Sequence, residues 1–276
     1  MPYFVLNDGA QLYYEDRGSG EPIVFLHGLT ASHRKIAAFT KEFLQDYRCI
    51  LLDLRGHGSS NHVGININIQ TLAQDIHELL EYLELTDVTM IGHSLGGAVI
   101  YSYVSQFGCE RVKRLVSVDQ GPCARNHDWT GGIAGGKWTD DDFLADLDRG
   151  FSNFPELNWS VTKLMMPMLA NLPPEAVPGM LLTCKDTCEC DSFTLSGLWY
   201  SIFRTDNRPA VEQITVPFLY ILPETTLYSP ETAEYVRAHV KGSFTLVNNI
   251  PGTTHMILME APQAAADAVK AFIKEN

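Results

Sequence analysis

The run Gly92-His93-Ser94-Leu95-Gly96-Gly97 constrains this chain more than any other, because of what flanks it. Before it lies Val88–Ile91, a short unbroken apolar stretch that reads as a strand covered on both faces. After it, Ala98–Phe107 reads as a helix. Glycines two residues to either side of a serine, between a buried strand and a helix, describe a sharp strand-to-helix turn with strained backbone. A Cβ at Gly92 or Gly96 would clash with neighbouring backbone there. The turn lifts the Ser94 hydroxyl to the edge of a sheet. It also sets the Leu95 N–H at a helix N-terminus, pointing at negative charge that develops beside the serine. The spacing therefore points to a nucleophile.

The rest of the chain supplies the sheet. Strand-like runs at Phe4–Leu6 and Leu12–Glu15 are joined through Asn7-Asp8-Gly9, which is hairpin turn chemistry. Ile23–Leu26, Cys49–Leu52 and Leu115–Val118 are short apolar runs with helical periodicity between them, at Ile36–Leu44 and Ile69–Leu83. This alternation predicts an α/β fold with a mostly parallel sheet and helices on both faces. It stops near Gly121-Pro122 and resumes at Pro217 with Phe218–Leu222, Glu231–Ala238, Phe244–Val247 and Gln263–Ile273.

Between the two halves the chain changes character. Thr139 followed by Asp140, Asp141 and Asp142 resembles a helix N-cap with an acidic first turn. Three apolar faces are expected: Phe143, Leu144, Leu147 and Phe151; then Leu164, Met165, Met168 and Leu169, with a kink at Pro167; then Phe193, Leu198, Trp199, Ile202 and Phe203. We therefore divide the chain into a core, 1–122 and 209–276, and an inserted helical cap, 123–208. Such an insert falls over the C-terminal edge of the sheet, where ligands bind in α/β folds. The glycine-rich run 131–136 follows no strand, so it reads as a lid hinge rather than a phosphate loop.

The 276 residues carry a net charge of −13, which argues against nucleic acid or an anionic membrane as a partner and favours a small molecule. No segment approaches the roughly 18 apolar residues of a membrane helix. The N-terminal residues lack the pattern of a secretory leader, so a cytoplasmic location is expected. Cys184, Cys188 and Cys190 cluster, but without a fourth ligand or paired C-x-x-C spacing they read as reduced thiols rather than a metal site.

Two further stretches bear on chemistry. His27-Gly28-Leu29-Thr30 follows the third strand, where a second oxyanion donor is expected from the Leu29 N–H. His27 itself reads as a structural hydrogen-bonding residue. Among nine histidines, His255 stands out, in a loop between the last strand and the last helix. A serine followed late in the chain by a histidine suits a proton shuttle. His33, His57, His62, His77, His127 and His239 read as surface, turn or packing residues, and His93 as support for the turn.

Taken together, His27-Gly28, Asp53-Leu54-Arg55-Gly56-His57-Gly58-Ser59-Ser60, the Ser94 turn, Val118-Asp119 and Gly252–His255 make the sequence resemble the α/β-hydrolase superfamily over its whole length. The resemblance implies an eight-stranded α/β-hydrolase sheet with a helical cap. It also implies an acid partner for His255, three residues after a glycine that ends the strand here spanning Phe218–Leu222. Pro223 stands in that glycine's place and Thr226 in the acid's. Threonine cannot hold a negative charge against an imidazolium. Asp119 and Glu224 are the two candidates to replace it. Asp119 lies at the strand end from which haloalkane dehalogenases and zearalenone lactonases take their acid. The displaced-acid pattern is most similar to that of the zearalenone lactonases.

By this reading the chain is a serine hydrolase of a carboxylic ester or lactone that needs no cofactor. Ser94 is the nucleophile, His255 the base and Asp119 its orienting acid, with the Leu29 and Leu95 amides around the oxyanion. The same machinery suits amides, thioesters, activated C–C bonds or peracid formation. From a different class, Thr226 suggests a ligand-binding or interaction protein on a hydrolase fold whose acid has been lost.

Overall fold

The computed structural model describes residues 3–61, 67–126, 128–179 and 188–276. His62, His127 and Cys184 lie outside the described residues. Eight strands form one sheet: β1 (Tyr3–Val5), β2 (Gln11–Arg17), β3 (Pro22–Leu26), β4 (Arg48–Leu52), β5 (Val88–His93), β6 (Val112–Val118), β7 (Phe218–Pro223) and β8 (Phe244–Ile250). Their order is β1-β2-β4-β3-β5-β6-β7-β8. The β1–β2 and β2–β4 pairs are antiparallel. The others are parallel, with β5 beside β6 and β6 beside β7. Five strands, β3 to β7, are buried nearly throughout because both faces of the sheet are covered.

The two faces have separate cores. One holds Leu72, Ile76 and Leu79 of α1 (Ile69–Tyr82) with Val99, Ile100 and Val104 of α2 (Leu95–Phe107). The other holds Phe39 and Phe43 with Val269 and Phe272. Helix α2 begins one turn before the sequence expectation, directly after Ser94. Two adjacent glycines, poor helix formers, hide that start from propensity. They are there for clearance: a Cβ on Gly97 would lie 2.6 Å from the Gln120 side chain.

Between β6 and β7 lie α3 (Asp140–Ser152), α4 (Phe154–Met165) and α5 (Ser192–Arg204). The N-cap expected at Thr139 is present as a full capping box. Asp142 N donates to Thr139 Oγ1 at 3.2 Å, and Thr139 N donates to Asp142 Oδ2 at 3.0 Å. Asp146 is buried and takes hydrogen bonds from Arg149 at 2.8 Å and from Trp199 Nε1 at 3.2 Å, which ties α3 to α5.

Some expected apolar faces are corrected. Leu144, Met168 and Phe193 are more than half exposed, while Phe143, Met165, Leu198 and Phe203 are buried. Pro167 does not kink a helix. Helix α4 stops at Met165, and a 3₁₀ turn, Pro167–Asn171, follows. A proline can open that turn but cannot continue the preceding helix. The glycine-rich run is docked along residues 227–232. Thr130 O accepts from Ser229 Oγ, Gly131 O from the Thr232 hydroxyl, and Leu227 O from Gly135 N. These contacts make it an anchored loop, and the hinge reading gains no support from them.

Candidate active site

Ser94 sits at φ 53°, ψ −118° between β5 and α2, a conformation held only when its surroundings fix it. The glycines permit that. A Cβ on Gly92 would meet the Gly96 carbonyl at 2.4 Å, and one on Gly96 would meet Leu26 O at 2.2 Å. Ser94 N donates to Val118 O at 3.1 Å, which fixes the turn to the end of β6. The Leu95 N–H is the first of α2. Across from it Leu29 precedes Thr30, whose φ is +64°. Among the described residues, neither the Leu29 nor the Leu95 amide donates to another protein group.

His255 is buried, and its Nδ1 lies 2.7 Å from Asp119 Oδ2. Asp119 follows β6 with a φ of +46°. Its amide donates to Ile221 O of β7 at 2.9 Å. The β6–β7 pairing thus carries the carboxylate to the histidine. Thr226 does not oppose this arrangement but completes it. Its hydroxyl donates to Asp119 Oδ1, and Leu227 N donates to Oδ2 at 3.2 Å. The residue standing where the resemblance implies an acid thus donates to the neighbouring Asp119 carboxylate.

Glu224 is not a partner of the imidazole. It is exposed and accepts from Gly252 N at 2.6 Å. Its own amide donates to Thr253 Oγ1 at 3.3 Å. Glu224 therefore braces the loop that carries His255. Glu260 braces the same loop from the other side, accepting from Thr254 N at 2.7 Å and Thr254 Oγ1 at 2.8 Å. Nothing local in the sequence singled out Glu260. Its role depends on how the segment after His255 folds back.

His93 does more than support the turn. Its Nε2 donates to the His255 carbonyl at 2.6 Å, and the two rings lie 4.9 Å apart. Burial, reinforced by the neighbouring His255, pushes the His93 pKa down to about 3. It is therefore a neutral donor at ordinary pH. His27 is structural, as its position suggested. Its Nδ1 faces Gly28 O at 2.8 Å, and its Nε2 accepts from Leu54 N at 3.0 Å. Asp53, His33 and Ser59 form a separate brace around the buried Asp53 carboxylate. Asp53 takes His33 Nδ1 at 2.7 Å and Ser59 N at 2.8 Å.

Ser94 and His255 open into a cavity of about 270 Å³. Its walls are mainly apolar, with Ile36, Met165, Met166, Leu169, Met256 and Met259. A second recess of about 20 Å³ lies against the same two residues, bounded by Gln120, Trp199 and Tyr228. His255 Nε2 is buried and has no hydrogen-bond partner among the described residues. It is free to exchange a proton with a group in the cavity. Among the described residues, no group of three or more His, Cys, Asp and Glu could hold a metal ion. No described helix is long and apolar enough to cross a membrane.

A mostly parallel sheet in this order, with a strained serine at the end of β5 and a histidine after β8, defines the α/β hydrolases. The chain belongs to the alpha/beta hydrolase fold family, whose sequence profile matches residues 21–165. It is 37% identical to a non-heme chloroperoxidase of Kitasatospora aureofaciens over 117 residues, 42% of this chain and 42% of that protein. The chain thus spans less than half the length of that relative. Two solved structures share the fold over nearly the whole chain. An esterase from Exiguobacterium antarcticum matches with a TM-score of 0.84 at 24% identity, covering 99% of this chain and 98% of the other. The enol-lactonase of Burkholderia xenovorans matches with a TM-score of 0.79 at 20% identity, covering 99% and 100%.

Proposed function

We propose that this protein is a serine hydrolase that cleaves carboxylic esters or lactones of small apolar or aromatic molecules through an acyl-enzyme. The observation that carries the reading is the placement of His255. It is held by Asp119 at Nδ1, has no partner at Nε2 among the described residues, and lines the same cavity as Ser94. A carboxylate on Nδ1 selects the tautomer whose Nε2 can accept a proton.

In this mechanism Ser94 Oγ attacks the carbonyl carbon while His255 Nε2 takes its proton. Asp119 stabilises the resulting imidazolium. The oxygen turned negative is met by the Leu29 and Leu95 amides, which have no acceptor to give up among the described residues. Collapse of the tetrahedral species expels the alcohol, which receives the proton from Nε2. Water, deprotonated by His255, then releases the acid. The methionine-rich wall favours an apolar substrate, since methionine adapts to irregular shapes. Residues 123–208 act as a cap, with Met165 and Met166 reaching the substrate.

A fluorophosphonate probe tests the serine directly, because it labels only an activated hydroxyl. Labelling at Ser94, lost in a folded Ser94→Ala variant, supports the mechanism. Ester turnover by Ser94→Ala at near wild-type rate would overturn it. Panels of esters, lactones, thioesters and amides, and of acids with peroxide, then rank the reactions within the class.

A further inference from the structure

Cys188 and Cys190 of the inserted segment flank Glu189, which is hydrogen-bonded to the loop that follows Leu29. Cys188 and Cys190 place their sulfurs 3.5 Å apart. Closing that gap to a bond of roughly 2.05 Å brings the two sulfurs about 1.5 Å closer. Cys188 is half-buried and Cys190 buried. The hydrogen bond from Cys190, with help from the Lys35 ammonium, holds the Cys188 thiol below the usual range against the effect of burial. Two other thiols differ. Burial pushes Cys49 up to about 12 and Cys123 up to about 11.

The backbone between the two sulfurs is fastened to the oxyanion loop. Glu189 N donates to Thr30 O at 3.1 Å, and Gly58 N donates to Glu189 O at 2.8 Å. Cys190 forms an isolated antiparallel bridge with His57. Arg34 holds the Glu189 carboxylate at 2.9 Å. Thr30, which accepts the Glu189 bond, has a positive φ and directly follows Leu29. The Cys188–Cys190 backbone is therefore hydrogen-bonded to the residue beside the Leu29 amide.

We propose that Cys188 and Cys190 are a modification site: a dithiol that a peroxide oxidises to an intrachain disulfide, displacing the Leu29 oxyanion donor. Cys188 thiolate attacks one peroxide oxygen, the O–O bond breaks, and a sulfenic acid forms as water or an alcohol leaves. Cys190 sulfur then attacks the sulfenic sulfur, and its thiol proton leaves with the hydroxyl as water. Two thiols give up two electrons, and the peroxide takes them. Reduction by an external dithiol reverses the change. The link to catalysis rests on the serine-hydrolase reading, but formation of the disulfide does not.

The test treats the folded protein with hydrogen peroxide, blocks free thiols, digests with trypsin and weighs the peptides. Cleavage after Lys185 and Arg204 leaves both cysteines on one peptide, 186–204, with Cys184 on another. The expected product is that peptide lighter by two hydrogens and restored by dithiothreitol. Its fluorophosphonate labelling rate at Ser94 should fall tenfold or more in step, since losing one oxyanion donor costs about 10²–10³ in rate. A Cys188→Ser variant should lose both the mass change and the peroxide sensitivity while labelling normally. Oxygen added at Cys188 with no loss of hydrogens, or a cross-link to another cysteine peptide, would overturn the dithiol. A clean disulfide with an unchanged labelling rate would overturn its coupling to the oxyanion loop. If even the reduced protein fails to label, the serine reading falls, and the peptide mass still decides the dithiol.

Discussion

Replacing Asp119 with asparagine removes one charge and almost no volume, so the fold should survive while the chemistry fails. The reason lies in the three hydrogen bonds that converge on this carboxylate. Thr226 donates to Oδ1, and Leu227 N and His255 Nδ1 both meet Oδ2. An amide has one accepting atom and one donating group. If its oxygen takes the Oδ1 place and the Thr226 donor, its NH₂ faces both the Leu227 N–H and His255 Nδ1. The ring must then carry its proton on Nε2, the nitrogen that should receive one from Ser94. If the amide turns over, its NH₂ confronts the Thr226 hydroxyl. The imidazolium loses its counter-charge either way. In the serine-protease type case this change costs about 10⁴ in kcat, or about 5 kcal/mol of barrier. We expect a similar loss here for an activated aryl ester, with KM little changed and the thermal midpoint within a few degrees of wild type. Glu224→Gln, measured alongside, should stay within about threefold, because Glu224 touches the loop backbone and not the ring. An Asp119→Asn enzyme within tenfold of wild type would refute the assignment, and a large loss at Glu224 would move it there.

Thr226→Val should lower kcat by about tenfold without abolishing it, because a donor to a charged acceptor contributes about 1.5–3 kcal/mol; stopped-flow with an aryl ester resolves the difference from total loss. The double change Asp119→Asn with Thr226→Asp should recover part of the activity lost in the single variant, and no recovery in a folded protein would show that position 226 cannot reach the imidazole with a carboxylate. His93 gives a pH signature: below about 6.5 the unfolded chain protonates this imidazole, whereas the folded chain refuses the proton until about pH 3, so stability should fall as pH drops across that window. His93→Asn should flatten the dependence of the thermal midpoint on pH there, and equal slopes in both proteins would refute it. Met165→Trp should raise KM for bulky alcohols several-fold more than for methyl esters, because Met165 borders both the larger cavity and the small recess.

What the sequence could disclose follows from which interactions are local. The Ser94 turn was legible because Gly92 is required by Gly96 and Gly97 in the same short run, although Gly96 is required by Leu26 and Gly97 by Gln120. His255 was legible through its place after the last strand. The choice between Asp119 and Glu224 was not decidable by distance along the chain. It depends on the β6–β7 register, in which Val118 pairs with Ile221, and on a left-handed residue at Asp119. The exposure of Leu144, Met168 and Phe193 was hidden for another reason. Periodicity marks an apolar stripe but not its width, and helices of an insert have fewer neighbours than those against the sheet. His93 was read as a prop for its own turn. Its contact with the His255 carbonyl spans 162 positions, and no local pattern encodes it.

Because β6 and β7 run side by side in the same direction, their carboxyl ends offer two neighbouring footholds for one charge. Residues 119 and 226 are 107 apart in the chain yet within a single hydrogen bond in space. A chain with acids at both places would let them share a proton, since two adjacent carboxylates resist ionising together. One could then be lost without the histidine ever standing alone. The acid of such a site belongs to the strand pair rather than to a column in an alignment. A search that demands a carboxylate at the position of Thr226 would discard this chain as inert, although the charge it seeks lies one strand away.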